Sequence, residues 1–335
     1  MNLSILTQKV DRNDDNLGFF HEWLKKFAEK TDKIFVIANF ISERDLPANA
    51  QVFSLGKEQR FGRIRRYFNF YKYLFKILPQ ADAVFVHMIP VWVILVWPVA
   101  FIFQKKIYLW YTHKSVTSSL RLAEKLVDKI FTASAESCRL NSKKIIITGH
   151  GIDTDHFKPK DFPKDPATLK LLSVGRITLY KDYEFIIEAV GLTGRNAVLD
   201  IIGEPVTEMD VIYKRKLEKL VLEKNLRGKI IFLGAKTQDE MPEIYNSHDI
   251  FLHASETGSL DKAVLEAMAC GLPLVTTSEA FKSILAARYV SRKNSNEMAE
   301  KIIQLKNAGK DLSLREIIVQ NHNLSNLIDK ILTNL

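Results

Sequence analysis

Residues 251–277 read FLHASETGSLDKAVLEAMACGLPLVTT. The short apolar run of Phe251, Leu252 and Ala254 ends in a cluster of Ser, Glu, Thr and Gly, as a strand does when it enters a polar loop. From about Leu260 to Cys270 the residues are strong helix formers, and Gly271 with Pro273 supplies the stop before a second apolar run. The order is therefore strand, loop, short helix, strand. A Gly-containing loop that feeds a helix N-terminus favours anions, because unpaired N–H groups and the helix dipole point at the ligand. Glu266, about one turn into that helix, is placed to accept hydrogen bonds from sugar hydroxyls. A nucleoside diphosphate sugar presents both kinds of group.

The same alternation extends in both directions. Strand patterns fall at 3–7, 33–38, 83–87, 106–111, 129–132 and 144–148, with helical patterns at 17–30, 60–78 and 115–127. Farther on, strands at 169–174, 198–202, 229–233, 249–254 and 273–277 alternate with helices at 183–190, 208–224, 239–247 and 260–270. Such alternation predicts an α/β fold of parallel sheets covered on both faces. Residues 149–167, GHGIDTDHFKPKDFPKDPA, carry three prolines and many charges, the texture of a linker. The expectation is two doubly wound domains, 1–158 and 159–311, facing a cleft at the carboxyl ends of their sheets. A last helical segment, 312–335, is expected to pack back on the first domain.

Composition narrows the class. A chain of 335 residues with 47% hydrophobic and 26% charged residues can bury two cores. Cys138 and Cys270 lie far apart without metal-ligand spacing, which suits a reducing compartment, and Cys270 reads as a small buried residue at a helix end. The first fifteen residues turn polar and acidic too early for a secretory signal, so a cytoplasmic protein is expected. Residues 83–103 are nearly long enough to span a bilayer, but His87, Pro90 and Pro98 favour a strand, a loop and a buried or membrane-grazing helix.

The net charge of +9 is uneven: residues 1–160 hold 25 Lys and Arg against 15 Asp and Glu, whereas residues 161–335 hold 23 against 24. Much of the excess lies in 57–76, KEQRFGRIRRYFNFYKYLFK, where six basic residues follow Glu58 among seven aromatics. Such a helix, with 88–103, suits the inner face of an anionic membrane; the plainer reading is an amphipathic helix with a solvated basic face. No groove-reading motif accompanies the charge, and nucleic acid is not an expected partner.

Several residues can carry chemistry. The first strand of the second half runs into Gly175 and Arg176, and Lys181 follows just before a helix. Fixed cations there would stabilise the charge that builds on a departing diphosphate, though two surface cations near a helix start are common. Gly203 and Gly234 end the next two strands, where a ligand or backbone can approach closely. His113 follows an apolar strand, and His87 another, each able to bond a hydroxyl or phosphate or to be satisfied locally. Gly18 opens the first helix. The histidines form no i, i+4 pair, no HExxH occurs, and Asp11, Asp14 and Asp15 lack calcium-loop spacing, so no metal site is expected. Neither GxGxxG nor GxxxxGK[ST] is present, which removes the usual support for hydride transfer and P-loop phosphoryl transfer.

With these residues assembled, the chain resembles the retaining glycosyltransferases of family 4, of the two-Rossmann GT-B fold. The matches are Gly151-Ile152-Asp153-Thr154-Asp155-His156-Phe157 with Pro159, Val174-Gly175-Arg176 with Lys181, and Leu265-Glu266-Ala267-Met268-Ala269-Cys270-Gly271-Leu272-Pro273-Leu274-Val275. The resemblance implies that Arg176 and Lys181 bind the donor diphosphate and Glu266 the ribose. It further implies that Gly258, Ser259 and Leu260 present backbone N–H groups to the phosphate and transferred sugar, that His113 contacts that sugar, and that Gly18 marks the first loop; Gly203, read from its strand end, is counted with the donor-binding residues. Two departures stand out. The family's Glu-x7-Glu pattern meets Gly258 where its first acid belongs, flanked by Glu256 and Asp261 as replacements, and the first loop lacks a Gly-Gly pair.

The expectation is thus a metal-independent, cofactor-free transferase that moves a sugar, with retention, from a nucleotide-sugar donor to an acceptor sugar or lipid-linked glycan. The alternatives are a GT-B-type nucleotide-sugar epimerase and a sugar- or lipid-binding protein without turnover.

Overall fold

A computed structural model describes residues 1–14, 16–163, 165–194, 196–255 and 258–335. Contacts divide it into a first unit of residues 1–151 with 323–335 and a second of 152–322. The division thus falls seven residues earlier than the proline-rich texture suggests, because Ile152 and Phe157 are buried in the core of the second unit.

In the first unit β1 (Asn2–Val10), β2 (Lys33–Ile41), β3 (Ala50–Ser54), β4 (Ala83–His87), β5 (Lys106–Trp110), β6 (Lys129–Thr132) and β7 (Ile145–Ile147) form one parallel sheet. Its order is β3-β2-β1-β4-β5-β6-β7. Side chains alternate between faces along each strand. Leu3 and Ile5 of β1 therefore join Phe20, Trp23 and Phe27 of α1 (Phe19–Lys30), whereas Leu6 joins the opposite layer. That layer holds Leu74 of α2 (Arg63–Ile77), Val93 and Val96 of α3 (Pro90–Ile102) and Leu120 of α4 (Ser118–Leu126). Residues 83–103 are a buried strand followed by a 13-residue helix, and among the described residues no helix is long and apolar enough to cross a membrane.

The second unit repeats the plan with β8 (Leu169–Val174), β9 (Ala197–Ile202), β10 (Ile230–Gly234), β11 (Ile250–His253) and β12 (Leu274–Thr276), ordered β10-β9-β8-β11-β12. Around it lie α5 (Tyr183–Gly191), α6 (Glu208–Glu223), α7 (Met241–Ser247), α8 (Lys262–Ala269), α9 (Ser295–Leu305) and α10 (Leu312–Asn321). Arg315 of α10 donates to the carbonyls of Thr154, Phe157 and Ala269 at 2.8–2.9 Å, tying α10 and the entry segment to α8. Both sheets reverse strand order beside their first strand, at β1/β4 and at β8/β11. Ligands of doubly wound folds bind outside the carboxyl ends at that point.

The terminal segment, expected as one helix, breaks at His322. Asn323 caps the N-terminus of α11 (Leu324–Thr333) through Asn326 N–H, so only α11 returns to the first unit. There Leu324, Leu327, Ile328 and Ile331 are buried against the α1 layer, and Lys30 reaches Asp329 at 2.6 Å.

Candidate active site

At the carboxyl end of the second sheet the backbone is drawn unusually close. Gly175, Gly203 and Gly234 end β8, β9 and β10, all at positive φ. The N–H of Gly175 donates to Ile202 and that of Gly203 to Gly234, both at 2.9 Å. A Cβ on Gly203 would collide with the Gly175 carbonyl, so this position accepts glycine alone. The Gly175 carbonyl also receives the buried Tyr183 hydroxyl at 2.8 Å. The space that a Gly175 side chain would take is occupied by the tip of Lys181, whose Cε lies 3.2 Å from that Cβ position.

Lys181 is held from the other side as well. Its Nζ lies 2.7 Å from Oδ1 of Asp261, the residue before α8, and Oδ2 of Asp261 meets His253 Nε2 at 2.5 Å. His253 Nδ1 lies 2.9 Å from the Thr276 hydroxyl, which in turn accepts from Ser278 N–H at 3.1 Å. Burial alone would raise the Asp261 carboxyl, but the Lys181 ammonium and the His253 ring outweigh it and hold it below the usual carboxylate range. Burial lowers His253 despite Asp261. One cation already balances the carboxylate, so the imidazole stays neutral: with Nε2 protonated, it donates to Asp261 and accepts from Thr276.

Glu266 lies one turn into α8 and is 5% exposed. Its Oε1 takes Lys262 Nζ at 2.8 Å and Gln238 Nε2 at 3.0 Å, and its Oε2 accepts from Tyr245 Oη at 2.9 Å. Gln238 closes the ring by accepting from Lys262 at 3.1 Å. Burial pulls the Lys262 ammonium down against the pull of Glu266, and pushes the Tyr245 hydroxyl well up. A carboxylate offers about four acceptor positions. The three donors above leave one on Oε2, sufficient for a single ligand hydroxyl.

The residues named from sequence in this half thus fall into two clusters joined by α8. Gly175, Lys181, Gly203 and Asp261 form one, and Glu266 anchors the other. Arg176 is exposed and makes no ion pair among the described residues. Gly258 adopts a left-handed φ of 66°, and the N–H groups of Gly258 and Leu260 meet no acceptor among the described residues. Ser259 lies between them in the same bend. Glu256 lies outside the described residues. Cys270 is buried, and its thiol is pushed up to about 12 by burial, as an inert core residue should be.

Three named residues lie in the first unit, away from these clusters in the chain. His113 is exposed, its Nδ1 accepting from Ser115 N–H at 3.1 Å. Gly18 lies where a Cβ would collide with the carbonyls of Arg12 and Asp14, so its own loop uses the space. His87 is buried and stacked on Phe20 at 3.9 Å; burial, with His150, lowers it to about 3. Residues that sequence reasoning passed over are Tyr183, Gln238, Tyr245, His253 and Lys262. The available signal for His253 was its position at a strand end, eight residues before Asp261.

Comparison with known proteins agrees with this division. The family model for glycosyl transferases group 1 matches residues 154–323, which is nearly the whole second unit. The mannosylfructose-phosphate synthase of Agrobacterium fabrum is 26% identical over 159 residues, 42% of this chain and 34% of that protein. An uncharacterized glycosyltransferase of Methanocaldococcus jannaschii is 32% identical over 158 residues, 45% of this chain and 38% of its own length. The matches therefore span about a third of those relatives. The crystal structure of Anabaena HepE in complex with UDP-glucose superposes with a TM-score of 0.76 at 15% identity, covering 100% of both chains. That likeness is one of fold.

Proposed function

Because this chain belongs to the glycosyl transferases of group 1, we propose that it moves a sugar from a nucleoside diphosphate onto an acceptor hydroxyl, with retention at the anomeric carbon. The observation that carries this reading is the seat of Lys181. A clamped ammonium lies over a residue without a side chain, at the switch point of a parallel sheet, with the Glu266 acceptor on the next helix. A diphosphate needs the first and a ribose the second.

In the step we propose, the bond from the anomeric carbon to the diphosphate oxygen breaks and its electron pair leaves with the phosphate. Lys181, joined by the exposed Arg176, stabilises that charge in place of a metal ion. The acceptor hydroxyl bonds to the same face of the carbon, and its proton passes to the departing phosphate oxygen. Neutral His253 keeps Asp261 oriented and so keeps Lys181 in place.

The test is a panel of UDP-, GDP- and ADP-sugars, with UDP-glucose first because HepE binds it. Release of nucleoside diphosphate that depends on an added acceptor sugar or lipid-linked glycan is the expected result. Turnover of donor without acceptor would instead mean an epimerase, and binding without release would mean a degenerate binding protein.

The first unit suits an acceptor presented at the cytoplasmic face of a membrane. Ile64 and Phe68 on α2, and Phe101 and Ile102 on α3, are 87%, 69%, 70% and 62% exposed, and Phe75 of α2 packs edge-on against Phe103, the residue that ends α3. Apolar side chains among arginines are the pattern of an interfacial helix. In flotation assays the protein should rise with phosphatidylglycerol vesicles more than with phosphatidylcholine alone. Ile64→Ser with Phe68→Ser should abolish the difference, and equal flotation in all arms would overturn the assignment.

A further inference from the structure

A cavity of about 200 Å³ opens at the carboxyl end of the first sheet, lined by Asn39 of β2, Arg63, Arg66, Tyr67 and Phe70 of α2, and Trp92 of α3. It is small for a nucleotide sugar, since pockets for drug-sized ligands start near ~300 Å³. Its polar equipment is almost wholly donor. Arg66 gives one N–H to Asn39 Oδ1 at 2.9 Å, while its Nε is shut off from water without a hydrogen-bond partner. A buried donor left unmade is costly, and few native groups are left so. Arg63, one turn earlier on the same face, has no carboxylate partner among the described residues.

No carboxylate is among the described residues that line the cavity. Between Glu58 and Glu124 the only acidic residue is Asp82, and neither α2 nor α3 carries an acid in its first turn. Glu58 is occupied by the Ser54 hydroxyl and Ile41 N–H. Arg65, by contrast, turns away and stacks over the Phe61 ring at 3.5 Å, so the two arginines at the cavity are set apart from the general basic face. Guanidinium forks fit the tetrahedral oxygens of a phosphate, and the rings of Tyr67, Phe70 and Trp92 suit the organic body attached to it.

We propose that Arg63, Arg66 and Asn39 form a subsite for the phosphate group of a second, non-nucleotide ligand, either a phospholipid headgroup or a free phosphorylated polyol. That this ligand is the acceptor rests on the transferase reading; that the cavity binds a phosphate group does not. The asymmetric donor set also gives the subsite a preference for phosphate over a neutral sugar.

Titration calorimetry with glycerol 3-phosphate, dihexanoyl phosphatidate and UDP tests this. At least one of the first two should bind, and the pair identifies the source: equal affinity means a free phosphate ester, and binding of phosphatidate alone means a lipid headgroup. Arg63→Gln with Arg66→Gln should weaken that binding about 100-fold, at roughly tenfold or more for each charge-assisted contact. Asn39→Asp, which sets a carboxylate against the Arg66 fork without changing its shape, should weaken it as well. UDP affinity should not move in either variant. No binding of either phosphate by the wild type, or unchanged binding in both variants, overturns the proposal. Failure of UDP to bind wild type while a phosphate ester does would instead remove the donor reading and leave the subsite standing.

Discussion

Replacing Lys181 with alanine should lower turnover of the nucleotide-sugar donor by about 100-fold or more, the loss typical of one preorganised donor at a site of developing charge. The ammonium is set by two neighbours: the open face of Gly175, and Asp261 at 2.7 Å. It therefore needs no reorganisation when charge appears on the leaving phosphate. Arg176 is one residue from the same glycine but exposed and free of ion pairs among the described residues, so Arg176→Ala should cost less. The effect of Lys181→Ala should fall on kcat more than on KM, since the contact strengthens as the bond breaks. Lys181→Arg should restore little, because a planar fork does not fit the gap a lysine tip fills over Gly175. The ion pair also has a stability signature. Because the folded Asp261 carboxyl lies below its ordinary value near 3.8, its contribution is present above that pH and is lost as pH falls below it. Lys181→Ala should flatten that acid loss. Wild-type kcat in Lys181→Ala would remove the lysine from the phosphate site.

The strands were most legible where a β-branched or aromatic run is bounded sharply: residues 83–87, 129–132 and 169–174 are strands with those limits. β3 escaped because Ala50–Ser54 is an edge strand, partly exposed throughout, and AQVFS lacks a continuous apolar run. The terminal helices merged in the sequence because apolar residues recur at helical spacing through 312–335; the break depends on the Asn323 cap, a single side-chain contact. At the site, Gly175, Arg176, Lys181 and Glu266 belong to local motifs and can be read one segment at a time. The residues that hold them cannot. His253 was passed over because it has no i, i+4 partner, yet its partner is a carboxylate eight residues later, brought back by the loop before α8. Tyr245 and Gln238 reach Glu266 from other segments, a consequence of packing rather than of spacing. The Gly258 departure looks different for the same reason. Among the described residues, the carboxylate at this end of α8 is Asp261, and it is already engaged with Lys181 and His253.

Glu266 should be the residue whose loss the second unit tolerates least. Glu266→Ala removes one carboxylate, leaves the buried Tyr245 hydroxyl without its acceptor, and takes the ion-pair partner from the Lys262 ammonium, which is 20% exposed and keeps its bond to Gln238. Breaking a buried, hydrogen-bonded ion pair from one side costs about 3–5 kcal/mol, because the remaining charge keeps its desolvation penalty. Calorimetry should show the unfolding transition of this unit moved down by roughly 6–20 °C, at about 2–4 °C per kcal/mol for a unit of this size. Glu266→Gln separates the structural part from the binding part. Its amide oxygen still accepts from Gln238 and Lys262, and the Tyr245 hydroxyl can turn to accept from its NH₂, so folding should suffer far less. The spare acceptor position on Oε2, however, becomes a donor. A ribose hydroxyl that donates to Glu266 would lose a bond to a charged group, worth about tenfold or more in affinity. The expected pattern is thus a folded Glu266→Gln protein with UDP affinity reduced about tenfold, beside a Glu266→Ala protein that is chiefly unstable. UDP affinity unchanged in Glu266→Gln would leave Glu266 as the keystone of the Tyr245–Gln238–Lys262 network and take the ribose away from it.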